Sequence, residues 1–272
     1  MRSPLPSDRE SLRSKAATVL KYLISVVIWI AVWQWVALRL NRPLLLPTPY
    51  RVFCRLIELM GTKVFWKHTA FSLLRVLAGI GTGTCLAVLT AVATYRFSPL
   101  KILLDPLITV IKTVPVSSFI ILAMLWINRN LIPIFIAFLM VFPVIWANVC
   151  EGLQSVPPAF LELSRVYRFG AVKKIRRLYL PVLAPYFLSA CRSSLGFAWK
   201  AGIAAEVLAL PVYAIGKQLY ESKLYLETTD LFAWTTVVII LSLALERLAK
   251  LLIRKMTKFT HTERGGAAHD RF

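Results

Sequence analysis

Uncharged apolar stretches alternate with charged segments along almost the whole chain. Residues 22–38 lie between Lys21 and Arg39, 76–95 between Arg75 and Arg96, and 130–150 between Arg129 and Glu151. Residues 102–126 are interrupted only by Asp105 and Lys112, and 178–210 carry Arg192, Lys200 and Glu206. The last stretch, 231–245, is shorter but continues into the helix-forming sequence ERLAKLLIRK. A bilayer core about 30 Å thick needs about 20 apolar residues at about 1.5 Å each. The pattern therefore predicts an all-α polytopic membrane protein with about six transmembrane helices.

One long segment breaks the alternation. Between the fourth and fifth stretches, residues 151–181 carry Arg165, Arg168, Lys173, Lys174, Arg176 and Arg177 against Glu151 and Glu162. Phe160, Leu163, Val166 and Tyr167 recur at helical spacing, Pro157 and Pro158 suit a first turn, and Glu162 is placed to reach Arg165. A basic amphipathic helix inside a membrane protein is either a bilayer-surface helix or a docking surface for a soluble partner.

Composition agrees with membrane residence. The chain is 58% hydrophobic and 17% charged, against roughly 25% charged in a soluble domain, and its mean hydropathy is +0.67. The distribution of Lys and Arg sets the orientation. With both termini cytoplasmic, the inner segments are the basic tail before residue 22, 96–101, the 151–181 segment and the basic tail after 245. The outer segment 206–230 has Lys217 and Lys223 against Glu206, Glu221, Glu227 and Asp230. The 39–67 segment runs against this pattern, with Arg39, Arg42, Arg51, Arg55, Lys63 and Lys67 against Glu58. Its PTPYRVFCRLIELM portion reads as an interfacial amphipathic helix. The net charge of +20 is then inner-face and loop charge and does not call for nucleic acid. The organisation expected is a tail 1–21, a transmembrane domain 22–255 and a tail 256–272. The first apolar run is expected to be retained rather than cleaved, because Arg39 and Arg42 follow it instead of a small-residue site.

Most chemistries find no residues here. Cys54, Cys85, Cys150 and Cys191 are scattered, and His68, His261 and His269 have no metal-ligand spacing. The GIGTG run at 79–83 lies inside an apolar stretch, where close helix packing explains it better than phosphate binding. No P-loop is present, so neither an enzyme nor a bound cofactor is expected on this chain. The intramembrane polar residues carry more. Arg192, Trp199 and Glu206 are seven apart and so share a helix face, with Lys200 about 100° round from Trp199. Lys112 precedes Pro115, Ser117 and Ser118, a place for a kink. These residues read either as a polar translocation pathway or as interfacial side chains, with Arg192 and Lys112 snorkelling.

Several motifs together resemble a family. LLLPTP follows the first stretch, HTAFSLLRVLAGIGTGT (68–84) opens the second, and ACRSSLGFAWKAGIAAEVLAL (190–210) forms the fifth. With the 151–181 segment, they resemble the transmembrane permease subunit of an ATP-binding-cassette importer of the nitrate/sulfonate/taurine type, over about residues 43–255. In that family a Glu-Ala-Ala, Gly and Leu-Pro signature forms the coupling helix that seats on the ATPase. Here Glu162 matches the glutamate, Leu163 and Ser164 stand for the alanines, and Leu180–Pro181 match Leu-Pro. Arg168 occupies the glycine position, with Gly170 two residues late, so the turn at 168–170 is expected to differ from the common form. The resemblance implies a homodimer in a prokaryotic inner membrane. It also implies a partner ATPase dimer that binds the ATP, an extracytoplasmic solute-binding protein, and a small solute: a sulfonate or taurine, nitrate, or a nitrogenous heterocycle. An ion-coupled transporter or a non-transporting scaffold are the other readings of the pattern.

Overall fold

The computed structural model describes residues 8–266, with side-chain environments within 20–251. The ends of both tails, 1–7 and 267–272 with His269, lie outside the described residues. Every regular element among the described residues is helical. In chain order these are α1 (Asp8–Leu40), α2 (Pro49–Met60), α3 (Lys63–Arg96), α4 (Ser98–Thr113), α5 (Val116–Ala123), α6 (Ile132–Gln154), α7 (Pro158–Val166) and α8 (Ala171–Lys174). A π-helical turn, Ile175–Tyr179, leads into α9 (Leu180–Ala209), followed by α10 (Ile215–Leu224) and α11 (Thr228–Gly266).

Leu23–Leu40, Lys63–Arg96, Ile132–Gln154 and Thr228–Leu251 are each long and apolar enough to cross a bilayer. The α4–α5 pair reaches the same standard only together, bent by 103°. α9 has 30 residues, about 45 Å at helical rise, but Arg192, Lys200 and Glu206 dilute its apolar character. The six predicted stretches fall on these elements. The predicted 102–126 span is two helices rather than one. Val114 is extended (ψ 134°), as the residue before a proline is pushed to be, and Pro115 then caps α5 without a side-chain bond. The tail boundaries expected near 21 and 255 fall within α1 and α11, which continue as helix on both sides of them.

Small residues set the centre of the bundle. Gly79, Gly83, Ala87 and Ala91 stand every fourth residue on α3 and are buried. A methyl group on Gly79 would collide with the Ile134 carbonyl and Ala137 of α6, and one on Gly83 would press on Phe138 and Val141. Backbones approach this closely only where no side chain intervenes. Ala137, Val141, Ile145 and Val149 of α6 and Ala198 and Trp199 of α9 complete the cluster. A second cluster joins Ile111, Ile120 and Ala123 of α4–α5 to Ile136 and Leu139 of α6 and Ala201, Ala205 and Ala209 of α9.

The amphipathic helix expected near residue 49 is α2. Thr48 caps it, accepting from the Arg51 N–H at 3.4 Å, and Val52 and Leu56 face inward. Arg55 donates to both carboxylate oxygens of Asp230 at the start of α11 (2.7 and 2.9 Å) and to Glu58 at 2.8 Å. Those bonds, Asp230 first, hold the Arg55 guanidinium above its ordinary pKa, so one arginine of the anomalous basic segment has acidic partners.

Candidate functional site

After α6 ends at Gln154, the 151–181 segment forms a helix–turn–helix hairpin of α7 and the one-turn α8 that leads into the π-turn and α9. Pro157 and Pro158 start α7 as the sequence predicts, since proline at the first helical position costs no hydrogen bond. Glu162 and Leu163 point outward, while Ser164 is buried, its hydroxyl donating to the Leu161 carbonyl at 2.7 Å. No ion pair links Glu162 to Arg165 among the described residues.

The turn at 168–170 is built on Arg168. Arg168 adopts φ +48°, the left-handed conformation that glycine takes without steric cost. The Arg168 N–H bonds the Arg165 carbonyl at 3.0 Å and the Phe169 N–H bonds the Ser164 carbonyl at 2.9 Å. This is the hydrogen-bond pair of a Schellman C-cap. The glycine-type turn is kept, with an arginine bearing its strain. Gly170 has an ordinary φ of −62° and open space around it, so it does not replace the missing glycine. Arg168→Gly is therefore expected to raise hydrogen-exchange protection of the α7 amides by up to about 1 kcal/mol. Arg168→Val should lower it. The opposite order would show that the arginine side chain stabilises the turn by another route.

Beyond the turn, Lys173 sits over the Phe169 ring at 4.6 Å. The π-turn follows, and Leu180 is exposed beside a half-buried Pro181, which supplies no N–H to the turn before it. Phe160, Leu163, Val166, Tyr167, Val172 and Ile175 are all exposed, Val166 to 78% and Val172 to 79%. The hairpin thus displays apolar side chains among arginines and lysines.

At the opposite end of α9, Glu206 is fully buried. Its carboxylate accepts from Ser72 Oγ at 2.7 Å and the Gly216 N–H at 3.1 Å, with Arg75 Nη1 at 3.5 Å. Arg75 also donates to the Tyr213 carbonyl (3.0 Å) and the Val212 carbonyl, His68 Nδ1 meets the Ala214 carbonyl at 3.0 Å, and Ser72 Oγ accepts from the Ile215 N–H at 2.8 Å. Together they pin the α9–α10 connection, in which Leu210 and Tyr213 are left-handed non-glycine residues (φ 50° and 51°). The sequence reading missed His68, Ser72 and Arg75. Their signal was present: with Gly79 they recur at helical spacing on one face of α3.

On the Arg192–Trp199–Glu206 face of α9, Trp199 and Glu206 are packed against neighbouring elements, whereas Arg192 is exposed. Trp199 is 1% exposed and its Nε1–H donates to the Val238 carbonyl of α11 at 3.2 Å. Glu206 sits in the network above, and Arg192 borders a cavity against α11. Neither Trp199 nor Glu206 reaches open space. Besides Arg192, α9 is open along the stripe Ser189, Ser193, Phe197, Lys200, Ala204 and Leu208. Lys200 is exposed on it, and Lys112 is exposed in the last turn of α4, followed by the exposed Pro115. Their neighbours Ala201 and Ile111 belong to one apolar cluster. Among the described residues neither lysine has an ion-pair partner.

Residues 83–258 match the family described as binding-protein-dependent transport system inner membrane component. Among curated relatives, SsuC of Bacillus subtilis (strain 168), a permease named for aliphatic sulfonates, is 25% identical over 249 residues, covering 90% of each chain. The taurine transport system permease protein TauC of Escherichia coli (strain K12) is 25% identical over 240 residues, covering 86% of this chain and 87% of its own. The bicarbonate transport system permease protein CmpB of Synechococcus elongatus is 25% identical over 228 residues, covering 80% and 82%. Of solved structures, an inward-facing MetNI methionine ABC transporter superposes with a TM-score of 0.54 at 16% identity, covering 70% of this chain and 93% of that one. At that identity it speaks for the fold. The apolar helices, the hairpin after α6 and the family match agree: the chain belongs to the binding-protein-dependent transport system inner membrane components, the permease subunits of ABC transporters.

Proposed function

We propose that this importer permease moves a small oxyanion of the sulfonate class, and that its α7–α8 hairpin docks the ATPase. The observation that carries the docking is the exposure of Val166 and Val172 on either side of the Schellman turn that closes α7. Apolar side chains there neither cover the chain's own core nor lie along a spanning helix, and rimmed by charge they suit a protein cleft. Glu162 is exposed beside them and Leu180–Pro181 carry the hairpin into α9, so motion of the hairpin is delivered to that helix. The hairpin faces the cytoplasm in this reading, with both termini on that side, two copies of the chain pairing, and ATP bound by the partner subunit. An extracytoplasmic binding protein delivers the solute to the face of α2 and α10.

The test is copurification of the coexpressed ATPase with the full chain. Val166→Asp should cut recovery of the ATPase at least tenfold with membrane insertion unchanged, since a carboxylate at a buried interface costs about 2–4 kcal/mol. Glu162→Ala should leave hydrolysis running without uptake. Normal recovery and normal coupling in both variants would remove the docking assignment.

For the substrate, the relatives named above are named for aliphatic sulfonates, taurine and bicarbonate, each bearing an anionic group. Lys200 and Lys112, exposed and unpaired near one apolar cluster, supply matching positive charge.

A further inference from the structure

A cavity of about 300 Å³ lies between α9 and α11, lined by Ser189, Arg192, Ser193, Glu246, Ala249 and Lys250. It belongs to the half of α9 nearer the hairpin. Its depth follows from α11, which after Asp230 is uncharged over 231–245 and meets its next charges at Glu246, Arg247 and Lys250. The cavity therefore sits where the apolar stretch ends, at headgroup level.

Its chemistry is unbalanced. Two cations and one carboxylate border it, and among the described residues none of the three forms an ion pair. The Ser193 hydroxyl is turned back onto the Ser189 and Ala190 carbonyls at 3.2 and 3.1 Å, which leaves Ser189 as the available hydroxyl. A planar guanidinium and an ammonium facing one space suit a phosphate oxyanion, and the carboxylate holds the net charge near +1. That matches the single negative charge of a phosphodiester better than a free phosphate dianion. Leu243, exposed and three residues before Glu246 and seven before Lys250, lies on the same face of α11 and continues the wall with apolar surface.

We propose that this cavity binds the phosphodiester headgroup of an anionic phospholipid from the leaflet on the hairpin side. Arg192 and Lys250 hold the phosphate, Ser189 donates to it, and the acyl chains leave along the apolar face of α11 that begins at Leu243. Basic pockets between membrane helices are a recurrent means of headgroup recognition. Such a lipid would fill the space between α9, the helix that the hairpin drives, and α11. The inference rests on the membrane placement of the chain and is independent of its substrate.

Native mass spectrometry of the full-length chain, delipidated and titrated with phosphatidylglycerol, phosphatidylcholine or inorganic phosphate, tests it. Wild type should retain phosphatidylglycerol about tenfold over phosphatidylcholine, and Arg192→Gln or Lys250→Gln should each lower that retention about five- to tenfold. Glu246→Gln should raise it, because the opposing charge is gone. This opposite sign, together with Lys250→Gln at the end of the apolar stretch, keeps the test decisive if Arg192→Gln fails to fold. Equal retention of both lipids, wild-type retention in the charge variants, or displacement of phosphatidylglycerol by equimolar inorganic phosphate would each overturn the assignment, the last in favour of a soluble anion.

Discussion

Glu206→Ala is expected to destabilise the protein by about 3–5 kcal/mol, the loss typical when one member of a buried charge network is removed. The substitution strips the acceptor from Ser72 and from the Gly216 N–H, and leaves the Arg75 guanidinium with the Val212 and Tyr213 carbonyls and the face of the Phe71 ring but no counter-charge among the described residues. The short contacts dominate this loss. At 3.5 Å the Arg75–Glu206 ion pair is the longest bond to the carboxylate, whereas the serine bond at 2.7 Å and the backbone bond at 3.1 Å are well formed. Glu206→Gln should cost less, because an amide oxygen still accepts while the charge balance with Arg75 is lost. Combining Arg75→Ala with Glu206→Ala should cost less than the two added, as expected for partners in one network. Thermal unfolding of the purified chain, read beside uptake, is the measurement. Unchanged unfolding in Glu206→Ala together with altered uptake would return Glu206 to the translocation path and sink the structural role.

That outcome also marks where sequence reading works and where it stops. Elements governed by local rules were legible: α2 from its apolar period and its Thr48–Pro49 start, α7 from Pro158, and four of the six expected spans from their uncharged lengths. Helical spacing correctly put Arg192, Trp199 and Glu206 on one face, but periodicity says nothing of which neighbour a face meets. The partner of Glu206 is Ser72, 134 positions earlier, and the carbonyl that receives Trp199 is 39 positions later. Those pairings come from tertiary packing, in which the glycine stripe of α3 brings α3 and α6 together and Gly202 admits Val76 against α9. Arg168 fails differently. Its residue type argued against a left-handed turn, yet the two Schellman hydrogen bonds and the short span of α7 hold it there. The Leu226 turn closes α10 in the same way, with left-handed φ +60° and the Glu227 N–H on the Ser222 carbonyl at 2.9 Å. In this chain non-glycine residues carry helix ends that a sequence rule reserves for glycine.

Lys200→Glu is expected to reduce uptake of a sulfonate substrate by at least a hundredfold while leaving folding nearly untouched. Lys200 lies nine residues before the end of α9 at Ala209, about 13 Å along the axis at helical rise. A lysine stem of about 6 Å does not span that distance to the outer interface, and the hairpin end of the helix is farther still. An ammonium held at this depth needs water, a partner or an anion, because burial in lipid is costly. It stands exposed on the stripe of Ser189, Ser193, Phe197, Ala204 and Leu208, so substitution removes little packing. A unit charge about 4 Å from an anion contributes about 4 kcal/mol at an effective dielectric of 20. Loss of even half of it gives a thirtyfold effect for Lys200→Gln, and reversal of sign adds repulsion of similar size. The expected pattern is thus graded, wild type above Lys200→Gln above Lys200→Glu, with unfolding temperatures alike and ATPase recovery unchanged. Lys200→Arg, which keeps the charge, should retain most of the uptake. If instead the side chain faces lipid, Lys200→Gln should leave transport intact and raise stability, and that result would remove Lys200 from the path.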